Sequence, residues 1–241
     1  MLRMARVDLI RELRERTQRI EVASRNQAAA EVALAPEGLD RLLPERGFRR
    51  GSLVEWLNDG EGSGGLMLAL ATTAHILQRG GAFVVIDCTQ NFNPPAAACL
   101  GVPLERTIIV RCTDQLTALW AWEQSLRCHA VAVTLGRIEE MNDRLAHRLQ
   151  LAAETGRGLG FMLRSATRQT LTSRAPVRLR VRGVPGPGPL QTIARRLRVE
   201  ALHRGEMIES TVELELSNET GHVRLVSKLA DPATTRRKVN A

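Results

Sequence analysis

The sequence predicts an α/β protein: a mostly parallel, twisted β-sheet flanked by helices, preceded by an N-terminal helix and followed by antiparallel strands. Three observations predict this class. Apolar, uncharged stretches alternate with helical patterns between residues 53 and 163, a glycine-rich loop joins the first strand of that series to its first helix, and a period-two pattern begins after residue 165. Alternating strands and helices indicate a parallel sheet with right-handed crossovers, whereas period-two alternation indicates half-exposed strands.

The first 34 residues are predicted to form an amphipathic helix and a linker. Apolar residues recur at helical spacing among Arg and Glu over residues 7–22, and an alanine-rich stretch follows over 24–34. A short helix is predicted over 35–44, between two prolines, and residues 47–51 are predicted to turn the chain into the first strand of the sheet.

Five strands and four helices are predicted to alternate in the central part of the chain. Uncharged runs such as 83–86 and 130–133 are typical of strands buried on both faces. Glycines end the first and last helices, and Asp114 is predicted to cap the third helix. The predicted strands are 53–57, 82–87, 107–110, 131–135 and 159–163, and the predicted helices are 66–79, 95–100, 114–128 and 139–155.

The C-terminal part is predicted to contain half-exposed antiparallel strands, because apolar and charged residues alternate there. These strands are 177–182, 197–201, 212–216 and 223–226, with a glycine- and proline-rich hinge at 183–189 and a hairpin turn at 218–221. The chain is therefore predicted to divide into an N-terminal helix with its linker (1–34), a core (35–183), a β extension (184–230) and a disordered tail (231–241).

The composition restricts partners and location. The net charge is +8, and 32 of the 34 basic residues are Arg, which favours contact with nucleic acid or an acidic partner but is also explained by a biased genomic base composition. No apolar run has the length of a membrane span and no signal peptide is recognisable, so a cytoplasmic protein without membrane contact is expected. The four cysteines have no metal-ligand spacing and are predicted to be reduced core residues: Cys88, Cys99, Cys112 and Cys128. No metal site is predicted.

The glycine-rich loop has the spacing of a phosphate-binding loop but lacks the groups that bind nucleotide. A working loop places a Lys after its last Gly and then a Ser or Thr that binds Mg²⁺. Those places fall to Leu66 and Met67, or to Gly65 and Leu66 in the alternative register. The chain has two lysines, Lys228 and Lys238, both near the C-terminus. The loop, whose other glycines are Gly60, Gly62 and Gly64, is therefore predicted to be degenerate, the protein to have no cofactor, and the chain not to be an enzyme.

The order of these elements resembles the RecA-like ATPase core. The segment 51–55 matches the strand before the phosphate loop, 85–94 is similar to the recombinase motif I-D-x-E-x-x-x-D-P, and 100–110 continues the match. The resemblance places a catalytic Glu at Thr89 and the Walker-B Asp at Thr134, so both carboxylates are lost. A different doubly wound sheet, in which those groups never existed, is the alternative interpretation.

A narrower resemblance is to the RecA-like accessory proteins of bacterial mutagenic repair, the ImuA family. It extends from about residue 6 to 229 and is carried by the N-terminal Arg and Glu helix, the segments 47–55, 161–169 and 175–180, and the ending 198–205 with 219–226. The resemblance implies a non-catalytic protein acting in damage-induced (SOS) translesion DNA synthesis. Its implied partners are a RecA-like recombinase, a Y-family-like polymerase homologue and an error-prone polymerase, with DNA as a further candidate.

Arginines after the last core strand are the predicted contact residues for DNA or a partner. Some flank a polar loop at the carboxyl edge of the sheet, where recombinases bind DNA, and others alternate along one strand and so share a face. A solvated basic surface is the alternative. Base stacking is not expected, because the chain has four Phe, three Trp and no Tyr. The predicted contact residues are Arg164, Arg168, Arg174, Arg178, Arg180 and Arg182, with Arg195, Arg196 and Arg198 as possible additions to the same face.

Two other functions remain open. A RecA-like cell-division inhibitor also lacks the catalytic groups, although such proteins lack the long Arg-rich ending seen here. An unusual DNA-dependent ATPase is the second alternative, which the missing lysine argues against. The N-terminal helix resembles the segment by which recombinase subunits hold their neighbours, so it is expected either to dock on another RecA-like protein or to fold back on its own core.

Overall fold

A computed structural model describes residues 32–60, 62–166, 175–184, 194–202 and 211–226. Over these residues the chain forms eleven strands and four α-helices. The strands are β1 (Val32–Leu34), β2 (Gly47–Arg49), β3 (Leu53–Asn58), β4 (Ala82–Ile86), β5 (Thr107–Val110), β6 (Val131–Arg137), β7 (Leu159–Ser165), β8 (Val177–Gly183), β9 (Ala194–Ala201), β10 (Thr211–Ser217) and β11 (Val223–Leu225). The helices are α1 (Gly65–Leu77), α2 (Pro94–Cys99), α3 (Gln115–Arg127) and α4 (Asp143–Gly156).

Nine strands form one sheet in the order β11-β10-β9-β8-β3-β7-β6-β4-β5. The six strands from β8 to β5 are parallel, and β9, β10 and β11 continue the sheet in antiparallel pairing. This arrangement confirms the predicted α/β class with C-terminal antiparallel strands. The prediction that β8 is antiparallel was wrong, because β8 pairs parallel to β3 and meets its antiparallel neighbour only at β9. Period-two alternation shows which side chains share a face, and it does not show the direction of the strand.

Helices cover the sheet on both faces. On one face α1 packs over the centre of the sheet together with Phe48, Leu39 and the apolar side chains of β9 and β10. On the other face α3 and α4 pack against side chains of β3, β4, β6 and β7. Three of the chain's few aromatic residues, Phe48, Trp56 and Phe161, meet in the first of these cores with ring centroids 5.4–6.2 Å apart. These three aromatics therefore serve packing.

The helix starts follow side-chain caps. Asp114 caps α3 as predicted, since its carboxylate accepts a hydrogen bond from Thr117 N at 2.8 Å. Helix α4 was predicted to begin at residue 139 and begins at Asp143 instead. The reason is Asn142, whose Oδ1 accepts from Leu145 N at 2.8 Å and satisfies an amide that has no partner within the helix. Cap residues therefore decide the start more strongly than the apolar pattern upstream.

The segment before the main sheet differs from the prediction. Residues 32–34 were assigned to a linker and instead form β1, which pairs antiparallel with β2. Gly47 makes this pairing possible, because a Cβ at that position would lie 2.4 Å from Val32 Cγ1. The short helix predicted over 35–44 is reduced to a 3-10 turn at Asp40–Leu42. The predicted N-terminal helix and the predicted tail at 231–241 lie outside the described residues.

None of the helices in the described ranges is long and apolar enough to cross a membrane. The described cysteines are free thiols. Cys112 is buried as predicted, but Cys88, Cys99 and Cys128 are exposed, so the prediction of core cysteines was wrong for these three. They lie at the ends of strands and helices, where a neighbouring apolar residue in the sequence does not imply burial.

We expect Asn142→Ala to lower the free energy of unfolding by about 1 kcal/mol, because the Leu145 amide loses its acceptor at the start of α4. Asn142→Asp keeps an acceptor oxygen and should leave the free energy nearly unchanged. Urea unfolding followed by far-UV circular dichroism measures both variants. Equal destabilisation by Ala and Asp would show that the cap does not determine this helix start.

Candidate functional site

The candidate site is the glycine loop, residues 59–64, which joins β3 to α1. Three of its glycines have left-handed backbone angles, with φ of 92° at Gly60, 67° at Gly62 and 90° at Gly64. Residues with a Cβ rarely adopt these angles, so the glycine spacing is required by the path of the loop. Helix α1 begins at Gly65, and the predicted strand-loop-helix order is present.

The two positions that bind phosphate and Mg²⁺ in working loops carry apolar side chains. Leu66 is 41% exposed at the first turn of α1. Met67 is partly buried and packs against the core on that face of the sheet. Neither side chain offers a positive charge or a hydroxyl group, so the start of α1 supplies nothing that binds a polyphosphate–Mg²⁺ complex beyond its backbone amides.

Protein groups from the strand before the loop and from β9 lie against it. Asn58 Oδ1 accepts a hydrogen bond from Ser63 Oγ at 2.8 Å. The Arg195 guanidinium donates to the Gly62 carbonyl and lies 3.9 Å from Met67 Sδ through its other terminal nitrogen. Leu197 is so close that a Cβ at Gly64 would lie 2.5 Å from its Cδ2. The loop is therefore tied to the C-terminal strands of the sheet.

Arg195 is a residue of the candidate site that the sequence interpretation did not place there. It was given as a possible addition to the basic face of the C-terminal strands, and the loop itself was predicted to supply no cation. The structure brings a guanidinium to the loop from a position 133 residues away. No local pattern in the sequence indicates this contact, because it depends on the pairing of β9 with β8 beside β3.

The two lost carboxylate positions have different surroundings. Thr89 follows β4, is exposed, and donates to Asn91 Oδ1 at 2.8 Å. Thr134 was predicted at the end of its strand, but β6 runs to Arg137 and places it in the middle of the strand, with no exposed surface. Its Oγ1 has no hydrogen-bond partner among the described residues. No residue of β6 is acidic, and Glu139 and Glu140 come only after the strand.

Two of the predicted contact arginines are buried and bound to one carboxylate. Arg164 Nη1 donates to Glu55 Oε1 at 2.6 Å, and Arg178 Nε donates to Glu55 Oε2 at 3.1 Å. The Glu55 side chain is 0% exposed, and those of Arg164 and Arg178 are 4% and 8% exposed. Arg164 also donates to the carbonyls of Ile138 and Glu139, at 3.1 and 3.2 Å. In this conformation both guanidinium groups are turned to the protein interior, away from any external phosphate.

The remaining arginines of the predicted surface lie toward the outside of the sheet. Arg180 Nη2 contacts both carboxylate oxygens of Asp59 at 3.0 Å, and Arg198 forms an ion pair with Glu213 at 2.5 Å. Arg182 is exposed and lies opposite Arg198 in the pairing of β8 with β9. Among the described residues neither Arg182 nor the half-buried Arg196 forms an ion pair. Arg168 and Arg174 lie outside the described residues. Within the described part of the chain, acidic side chains therefore neutralise most of the arginines of the predicted contact surface.

The described residues contain no cluster of His, Cys, Asp or Glu that could hold a metal ion. The chain matches no protein-family model. It is 33% identical over 78 residues to the cell division inhibitor SulA of Photorhabdus laumondii, a match that covers 32% of this chain and 44% of that protein. The chain therefore aligns with less than half the length of this relative, and the similarity is distant.

We expect Glu55→Gln to lower the free energy of unfolding by about 3–5 kcal/mol, because two buried guanidinium groups lose their counter-charge. Asp59→Asn is the matched control: it also removes a carboxylate bound to an arginine, but the pair is about 30% exposed and should contribute at most about 1 kcal/mol. Guanidinium chloride unfolding measures both. Similar losses for the two variants would contradict a special role for the buried group.

Proposed function

We propose that the chain is a non-catalytic, RecA-like accessory protein of the DNA-damage (SOS) response that acts in translesion DNA synthesis. It works by binding a RecA-like recombinase and the polymerases of that pathway. The observation that carries the proposal is the glycine loop, which keeps the glycines of a phosphate loop but has Leu66 and Met67 at the two positions that grip nucleotide. We infer that a fold of this kind, without groups that bind nucleotide, acts by binding partner proteins.

Electrostatics supports the proposed absence of catalysis. Phosphoryl transfer depends on cations that stabilise the charge developing on the transferred group, with little covalent contribution from the protein. The guanidinium nearest the glycine loop, that of Arg195, donates to the Gly62 carbonyl. Thr89 and Thr134 supply no carboxylate to activate water or to bind a metal. A protein with this loop is expected neither to hydrolyse ATP nor to bind it in a Mg²⁺-dependent manner.

The similarity to a cell division inhibitor of the SulA type supports an SOS-response role, the coarser part of the proposal. Contact with partner proteins is favoured over contact with DNA by the state of the arginines. Acids neutralise Arg178, Arg180 and Arg198 within the chain, which leaves Arg182 and Arg196 as the described arginines of this surface available to a phosphate. Two cations by themselves give weak attraction for a polyanion, which supports a protein partner over DNA for this described surface.

The same SulA similarity favours a second candidate, a RecA-like cell-division inhibitor. The two functions predict different cellular phenotypes. Deletion of a translesion accessory protein lowers the frequency of mutations induced by DNA damage, whereas overproduction of a division inhibitor makes cells grow as undivided filaments. Both measurements in the bacterium that encodes the protein separate the candidates. Filamentation with unchanged induced mutagenesis would replace the proposed function by the second one.

We expect no ATPase activity and no Mg²⁺-dependent binding of a fluorescent ATP analogue by the purified protein. Thermal unfolding gives an independent measurement, because a ligand present at 100 times its Kd stabilises the native state by about 2.7 kcal/mol. The melting temperature should therefore be the same with and without millimolar Mg-ATP. A clear rise in the melting temperature would contradict the proposal.

We expect the double variant Arg182→Glu/Arg196→Glu to abolish capture of the recombinase or polymerase partners without changing the melting temperature. Arg79→Glu, a single charge reversal at an exposed arginine next to the end of α1, is the control and should leave capture intact. Binding of single-stranded DNA, if these two arginines alone contact phosphate, should weaken only about tenfold between 50 and 200 mM salt. If the double variant still captures the partners, Arg182 and Arg196 form only a solvent-exposed surface and do not contact a partner.

A further inference from the structure

A cavity of about 570 Å³ lies at the carboxyl ends of β4, β6 and β7, beside the first turns of α3. Its size falls within the range of about 300–1,000 Å³ that is typical of ligand-binding pockets. The floor is apolar and is formed by buried side chains that include Trp122, Leu135 and Leu163. The segments after β4 and after β6 also line the cavity, and they are called its mouth below.

The rim of this cavity is acidic. Among the described lining residues the carboxylates are Asp87, Asp114, Glu139 and Glu140, against one guanidinium, that of Arg137, which is bound to Glu139 at 3.0 Å. Asp87 accepts the amides of Asn91 and Phe92, and Asp114 accepts the amide and hydroxyl of Thr117. These neutral donors hold the two carboxylates in place and leave their negative charges uncompensated.

The two carboxylates act on the same point at the mouth. Although Cys88 is exposed as a residue, partial desolvation of its thiol raises its pKa, and the neighbouring Cys112 thiol and the negative charges of Asp87 and Asp114 act in the same direction. Hydrogen bonds from Thr117 lower the pKa of Asp114, so this group is ionised at neutral pH. Because four carboxylates and one guanidinium group are found among the described lining residues, the electrostatic field at the mouth favours cations over phosphate.

The indole of Trp122 forms part of the floor. Trp122 is 1% exposed, and its Nε1 has no hydrogen-bond partner among the described residues. Its Cζ2, which is bonded to the same ring carbon as Nε1, faces Gly136 in the lining, since a Cβ there would lie 3.2 Å away. Another atom of the same benzo ring, Cζ3, faces Gly160, which is not part of the lining. The benzo ring of Trp122 thus packs on β6 and β7, and the residue contributes to the cavity lining.

We propose that this cavity binds a short peptide segment of a partner protein in which an arginine or lysine adjoins an apolar residue. The apolar side chain packs on the floor, and the basic group meets the carboxylates of the rim. A segment of this kind matches the two features of the site, apolar surface and negative charge. The inference rests on the proposed function in one respect, that a partner protein supplies the segment.

Direct binding to the ¹⁵N-labelled full chain tests the proposal, with the indole resonance of Trp122 as the reporter. The probe is a blocked Leu-Arg-Leu tripeptide at millimolar concentration. It should shift the Trp122 indole signal, whereas blocked Leu-Glu-Leu and blocked Ser-Arg-Ser should shift it much less, because the first reverses the charge and the second removes the apolar contacts. Spermidine, a cation without apolar side chains or a carbonyl, should also leave the signal unchanged.

Variants of the rim connect the binding to the named carboxylates. Asp114→Asn keeps an acceptor for the Thr117 amide, and Glu140→Gln alters an exposed side chain, so both should leave the fold intact. Together they should weaken binding of Leu-Arg-Leu on the order of tenfold. Glu105→Gln, an exposed carboxylate outside the cavity, should have no effect.

Three outcomes would overturn the proposal: no shift with Leu-Arg-Leu, an equal shift with Leu-Glu-Leu or spermidine, or equal losses from the rim and control variants. These binding measurements are independent of the cellular phenotype. If the peptide does not bind but deletion of the gene lowers induced mutagenesis, the cavity proposal is rejected and the proposed function is kept. If the peptide binds but deletion leaves induced mutagenesis unchanged, the proposed function is rejected and the cavity proposal is kept.

Discussion

The buried group of Glu55, Arg164 and Arg178 is the interaction on which the centre of the sheet depends. It joins three adjacent parallel strands, because Glu55 lies on β3 and the two arginines lie on β7 and β8 on either side. Through the carbonyls of Ile138 and Glu139, Arg164 also fixes the segment that follows β6. A buried charge requires partners, so this group allows only the strand register in which all three side chains meet. The glycine loop leaves β3 from the position that this register sets.

The C-terminal strands and the glycine loop form one arrangement. Strand β9 belongs to the same sheet as β3, with only β8 between them, so its side chains reach the loop. Arg195 and Leu197 both come from β9 and both contact glycines of the loop. The groups that would grip nucleotide are missing from the start of α1, and an added strand occupies the surroundings of the loop instead.

The local features of this fold could be predicted from the sequence, and the contacts between distant segments could not. Strand β5 lies where its apolar run places it, and α3 begins after the predicted cap Asp114, because both signals lie within a few residues of each other. The direction of β8 was missed because alternation determines faces and leaves direction open. The arginines predicted to contact DNA were chosen from their spacing, but Arg164 and Arg178 meet a carboxylate 109 and 123 residues away. A glutamate in the middle of an apolar strand was the one sequence signal that a buried cation must lie nearby.

The contacts of β9 with the loop limit what new side chains at the start of α1 could achieve. Substitutions could place a lysine at position 66 or a hydroxyl at position 67. The new groups would still face a loop whose Gly62 carbonyl is bound by Arg195 and whose Gly64 is covered by Leu197. Leu197 is fully buried in the main core, so it cannot be withdrawn without a cost in stability. A nucleotide site here would therefore require the core around β9 to be repacked as well as the loop to be changed.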